Sequence, residues 1–222
     1  MYRNLVNVIA AICLVAGPLG DLIWSFVSPV GEAASAQQSV GAILAHPAAA
    51  QAAAWLDLAI ILLVPAAVFA GRALQASIRP LAGIGTALLF LGSLLFTYSL
   101  GNDVVLLAAS QTGSAATAQA YIDSGVVSLA TVLAIAFQFI GVVLMGIAAL
   151  RSRLIPVWAA VFLIAWNPVQ VIGTVTGISV IESVGDLMLL AAYVAIAVRL
   201  FRPVAGRGAE IQPAVMVPDG AR

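Results

Sequence analysis

AAWLDLAIILLVPAAVFAGRAL, from Ala53 to Leu74, is the stretch on which the reading of this chain turns. It carries one carboxylate, Asp57, near its start and one guanidinium, Arg72, near its end, and the residues between them are apolar. At a rise of about 1.5 Å per residue it extends roughly 30 Å as a helix, the thickness of a bilayer's hydrocarbon core. It reads as a transmembrane helix, acidic at one end and basic at the other.

The composition points the same way. Of 222 residues, 63% are hydrophobic and 8% are charged, whereas about a quarter of a soluble domain is charged. The mean hydropathy is +1.13. Spans of about 20 residues fit five to seven times into such a chain. The apolar runs are continuous, without the alternation of lipid-facing strands, which disfavours a β-barrel. The expected fold class is all-α, a polytopic bundle of transmembrane helices.

Working outward from the opening stretch gives six spans, at about 5–27, 53–74, 81–105, 125–150, 157–175 and 184–200. They form one transmembrane domain over 1–202, followed by a tail over 203–222 whose prolines and glycines predict disorder. The first span begins near Arg3 and runs past the usual length of a signal core, which favours a retained helix over a signal peptide. Gly17 and Pro18 are expected to kink it, and Asn167 with Pro168 to interrupt the fifth span. Between the first two spans, Ala36, Val40, Ile43 and Leu44 recur at helical spacing; a short surface helix and an ordinary loop both fit. Ser110 to Ser124 reads as a loop.

All nine basic residues are arginines, and they sort by side. Arg3, Arg72, Arg79, Arg151, Arg153, Arg199, Arg202, Arg207 and Arg222 fall at the amino end, in the second-to-third and fourth-to-fifth turns, or at the carboxyl end. By the positive-inside rule both ends are then cytoplasmic, which requires an even number of crossings and selects six. Pro80 and Pro156 open the spans that follow the two basic turns, in the first-turn position where proline is tolerated.

The carboxylates sort oppositely, except Glu210 and Asp219 in the tail. Asp21, Asp57, Asp103 and Asp186 fall near the outer ends of four spans, and Glu32, Asp123 and Glu182 in outer loops or span ends. A charge inside a helix bundle costs several kcal/mol unless it is paired or hydrated, so these residues predict a wet cavity open to the outer face. The other reading is that each acid marks the lipid boundary or favours a helix start, which applies most to Asp123, Glu182 and Asp186. Ser128, Thr131 and Gln138 share a face of the fourth span, Asn167, Gln170 and Thr174 share one of the fifth, and Asn102 adjoins Asp103. These fit either the cavity or hydrogen bonds between helices. Trp24 and Trp55 suit an outer aromatic belt and Trp158 an inner one, with Trp166 deeper. The expected ligand-binding set is Asp21, Asp57, Asn102, Asp103, Gln138, Asn167, Gln170 and Asp186.

Several classes are disfavoured. Cys13 is the single cysteine and His46 the single histidine, too few for an intrachain disulfide, a Cys/His zinc site or two axial haem ligands. No cofactor or metal is expected. The zero net charge gives no reason to expect nucleic acid. Without lysine there is no Schiff base and no P-loop, and no HExxH or Gly-x-Ser-x-Gly pattern occurs.

Ala45-His46-Pro47, the acid-bearing span through Leu63-Val64-Pro65-Ala66, and LRSRLIP from Leu150 to Pro156 together resemble small uncharacterised six-helix membrane proteins of bacteria that carry a domain of unknown function. The resemblance implies six helices in the bacterial cytoplasmic membrane, and it transfers no catalytic residue. The expected function is binding or transport of a cation or an amphiphilic small molecule. Its alternatives are an intramembrane enzyme acting on a lipid through paired aspartates, or an accessory subunit with no site of its own.

Overall fold

Proline 65 divides the second span. It has no N–H to donate to the carbonyl of Ile61, and in a continuous helix its ring would press against that carbonyl. The computed structural model, which describes residues 2–30, 35–74, 79–99, 101–112 and 114–201, has two helices here, α3 (Pro47–Ile60) and α4 (Leu63–Leu74). At the junction the ladder tightens: Leu62 N donates to Ala59 O at 3.0 Å and Val64 N to Ile61 O at 3.1 Å. The uninterrupted helix expected over 53–74 is thus a broken one. It also starts earlier than expected, because Pro47 sits at its first turn and begins a helix there.

The other helices are α1 (Tyr2–Val27), α2 (Ala36–Ala45), α5 (Arg79–Ser99), α6 (Gly101–Thr112), α7 (Ala115–Ile122), α8 (Gly125–Ser152), α9 (Val157–Thr176) and α10 (Ser179–Phe201). No strand occurs among the described residues. Six helical stretches, with α3 and α4 taken together, are long and apolar enough to cross a membrane. The expected tail, Glu32 and the turn at 75–78 lie outside the described residues.

Helix ends follow local chemistry. Ser35 caps α2 in a capping box: its hydroxyl accepts from Gln38 N at 3.3 Å, and Gln38 Oε1 accepts from Ser35 N at 3.1 Å. Ser124 caps α8 through Val127 N at 3.3 Å. Gly177, with φ of 66°, takes the left-handed position that ends α9.

Four expectations change. Helix α9 continues through Asn167 and Pro168 without interruption. Helices α6 and α7 make 110–124 largely helical among the described residues, rather than a loop. Helix α10 begins at Ser179, which places Asp186 two turns inside the helix, buried, and leaves Glu182 in the first turn. Asp123 ends α7, where Gln119 Nε2 donates to its Oδ1 at 2.9 Å, and does not start α8.

The spans form a closed ring. α1 packs on α10, α10 on α9, α9 on α8, α8 on α5, α5 on α4, and α4 on α1. Asn7 Nδ2 donates to Leu200 O at 2.9 Å and ties the start of α1 to the end of α10. Arg72, Arg151 and Arg199 lie in the last turns of α4, α8 and α10, so they share one end of the bundle. At that end α4 also touches α8 and α10 besides its ring neighbours. Its buried face is Ala66, Ala67, Ala70 and Gly71, small enough for surrounding backbones to approach. Beyond the break, α3 packs on α1 and then on α2 and α6. Helices α2, α6 and α7 lie at the opposite end around a separate core of Ala36, Val40, Ile43, Leu106, Ala109 and Ala118. Leu44, read with the first three as one apolar face, is exposed.

The tightest seam is between α5 and α8. A β-carbon on Gly141 would lie 2.6 Å from Leu89 N and 3.0 Å from Gly85 O, and one on Gly92 would lie 2.6 Å from Gln138 N. These are backbone atoms that cannot rotate aside. Gly141→Ala is therefore expected to force the two helices apart and destabilise the protein by about 1–3 kcal/mol. Gly83→Ala, at a position with open space around it, should leave stability unchanged or slightly raised. Thermal unfolding of both variants in detergent checks the contrast.

Candidate functional site

Beside the junction of α3 and α4 lies a cavity of about 540 Å³, and side chains of all six spans line it. Ile60 and Leu63, on either side of the helix break, form part of the wall. Gly20 of α1 lies against this wall, since a β-carbon there would meet that of Ala59 at 2.9 Å, and Asp21 follows it in sequence. The break and the close approach of α1 therefore place Asp21 on the cavity.

The lining changes character along the helices. A collar of Asp21, Ser93, Thr131, Gln138, Gln170 and Thr174 occupies the part nearer α2, α6 and α7. About one helical turn closer to the arginines, the wall becomes Leu63, Leu89, Val142, Trp166, Leu189 and Tyr193. The polar lining side chains are thus gathered toward one end, interspersed with Trp24, Phe96, Ile135, Val171 and Val175, and the other end is aliphatic and aromatic.

The residues singled out in the sequence separate into groups. Asp21, Gln138 and Gln170 line the cavity. Asp186, 3% exposed, stands behind the wall, where Gln170 Nε2 donates to its Oδ1 at 3.4 Å. Asn167 is turned away toward α8 and donates from Nδ2 to Phe139 O at 2.8 Å. Asp57 is 5% exposed in the last turn of α3, and its backbone carbonyl accepts from Ile61 N at 3.2 Å. It is not among the lining residues. Asn102 and Asp103 fall within α6, and their side chains lie outside the described residues. Among the described residues no three of His, Cys, Asp and Glu converge as metal ligands would.

Thr131 and Thr174, read from the sequence as neighbours of the expected set, do line the cavity; Ser128 does not, its hydroxyl reaching Ile122 O at 3.5 Å. Ser93, Phe96 and Tyr193 line it without having been singled out. Tyr193 carried a readable signal, since it follows Asp186 by seven residues on the same face of a helix. Ser93 carried little beyond its place next to Gly92.

Three buried polar atoms on α9, Trp166 Nε1, Asn167 Oδ1 and Gln170 Oε1, have no hydrogen-bond partner in the protein. Buried groups of this kind cost about 1–3 kcal/mol each and are rare away from functional sites. Two of the three residues line the cavity. Phe139 packs edge-on against Trp166, ring centroids 5.6 Å apart, and fixes the indole in the wall.

No protein family, curated protein or solved structure matches this chain. The reading of the site rests on its geometry.

Asn167 and Gln170 are three residues apart, yet one serves packing and the other faces the cavity. Asn167→Leu is expected to lower stability by about 0.5–1.7 kcal/mol, the range for hydrogen bonds between membrane helices, while leaving ligand affinity intact. Gln170→Leu should show the reverse emphasis. Unfolding and ligand-induced stabilisation, measured on the same samples, separate the two.

Proposed function

We propose that this chain is a binding or transport protein of a bacterial cytoplasmic membrane, with its cavity open to the extracytoplasmic side and an amphiphilic small molecule as its ligand. The supporting observation is the 540 Å³ cavity, whose polar side chains gather toward one end of a mostly apolar wall. Its volume falls within the few hundred to about 1,000 Å³ typical of sites for small organic ligands. A bare metal ion is held by about six close oxygen ligands, whereas this wall is mostly hydrocarbon. Asp21 on the collar favours a ligand head that is cationic or rich in hydrogen-bond donors.

The orientation belongs to the same proposal. With the arginine-bearing helix ends at the cytoplasmic surface, both chain termini lie inside and the collar faces outward. The likeness to small bacterial six-helix proteins, carried by LRSRLIP and the Pro65 span, agrees with this location and adds no activity. Catalysis by paired aspartates has less support, because Asp57 and Asp186 stand off the cavity that Asp21 lines.

Dodecyltrimethylammonium, a single chain with a fixed cationic head, is the test ligand. It is expected to raise the unfolding temperature of the protein in nanodiscs, and Asp21→Asn should weaken its apparent affinity about tenfold, the lower end for a lost charge-assisted contact. Equal stabilisation of both proteins would remove Asp21 from the site. For sidedness, Ser114→Cys and Ser152→Cys are introduced separately with Cys13→Ala and treated in whole cells with a membrane-impermeant maleimide. Ser114→Cys should label and Ser152→Cys should not; the opposite pattern would invert the orientation.

A further inference from the structure

The cavity wall between α8 and α9 reaches the outside of the bundle. Ile135 is 44% exposed, Val171 45% and Val175 80%, and all three line the cavity. They lie in the collar half of their helices, beyond the point where α8 and α9 are joined by the Asn167–Phe139 hydrogen bond and the Phe139–Trp166 ring contact. Closer to the arginines the same two helices are in tight contact, since a β-carbon on Gly146 would lie 2.6 Å from Ile164 Cγ1. The pair is therefore zipped at one end and flanks the cavity at the other, with branched aliphatic side chains at the margin.

We infer that the ligand is a single-chain lipid-like amphiphile that passes sideways from the outer leaflet into the cavity between α8 and α9. This rests on the proposed cavity function and orientation and names the ligand's class and route. A lipid in that leaflet has its head outward and its chain toward the midplane. The cavity has the same polarity, with Asp21, Thr131, Gln138 and Thr174 on the outward side and Leu89, Val142 and Leu189 deeper. A molecule can slide in without turning over and without taking its chain through water. The aliphatic margin keeps the chain in hydrocarbon throughout, while the head meets the polar collar. A water-borne solute has no use for an apolar side passage.

The test follows Trp166, which lines the deep end, in protein reconstituted in vesicles with Trp24→Phe, Trp55→Phe and Trp158→Phe. Two quenching probes are compared, octadecyltrimethylammonium brominated at mid-chain and the water-soluble 6-bromohexyltrimethylammonium. Both are expected to quench. Combining Ile135→Phe with Val171→Phe narrows the margin between α8 and α9 and should slow quenching by the long probe about tenfold more than quenching by the short probe. A cooperative thermal unfolding transition shows that the variant is folded. Equal slowing of both probes, or of neither, would overturn sideways passage and leave the cavity reading standing. Quenching by the short probe alone would overturn the lipid-like ligand. Absence of quenching by either would overturn the cavity reading and this inference with it.

Discussion

The missing N–H of Pro65 governs the architecture. In hydrocarbon every backbone donor and acceptor needs a partner within the protein, so a span can be broken only where neighbours shelter the break. Here Gly17 and Gly20 of α1 provide that shelter: β-carbons at these positions would lie 3.0 Å from Leu63 N and 2.9 Å from the β-carbon of Ala59. With the break tolerated, the two halves of one span take different places. α4 packs against α1, α5, α8 and α10, and α3 against α1, α2 and α6. Ile60 and Leu63, on either side of the break, line the cavity.

Packing follows from side-chain size. Apolar residues gain little by moving from lipid tails to a helix interface, so membrane helices associate where small residues allow backbones to touch. At the arginine end Ala66, Ala67, Ala70, Ala148, Ala149, Ala159 and Ala160 are all fully buried, and Gly141 and Gly146 close the seams of α8. Toward the other end of α8 and α9, lining residues become Thr131, Ile135, Val171 and Thr174. Side chains of that size hold the helices off one another. Between α8 and α9, small residues close the arginine end and larger side chains line the cavity.

Much of this could be read from the chain. Run length and the sorting of arginines set the number of spans, and the capping residues Ser35, Ser124 and Gly177 behave as their chemistry predicts. Pro65 stood in the opening stretch, but its effect depended on context: Pro18 and Pro168 also fall inside spans, and α1 and α9 continue through them. A proline's local chemistry is the same at all three positions; neighbouring helices decide whether the helix parts. Helices α6 and α7 were hidden for a related reason, because they are short and bury their apolar residues against α2 and against each other.

The site was legible in its polar half and obscure in its apolar half. Periodicity placed Gln138 with Thr131 and Gln170 with Thr174, and those four residues line the cavity. Periodicity also grouped Asn167 with Gln170, although three residues turn a helix by about 300° and leave the two side chains roughly 60° apart. That angle suffices to send one amide to the carbonyl of Phe139 and the other to the cavity and Asp186. Acidity was similarly too coarse a guide. Asp21 and Asp57 belong to adjacent helices beside the same break, but Asp21 follows a glycine that brings α1 onto the cavity wall, while Asp57 lies a turn back along α3 as that helix departs. What separates a lining carboxylate from a buried one here is the path of the backbone at Ile60–Leu63, and charge and spacing carry no information about that path.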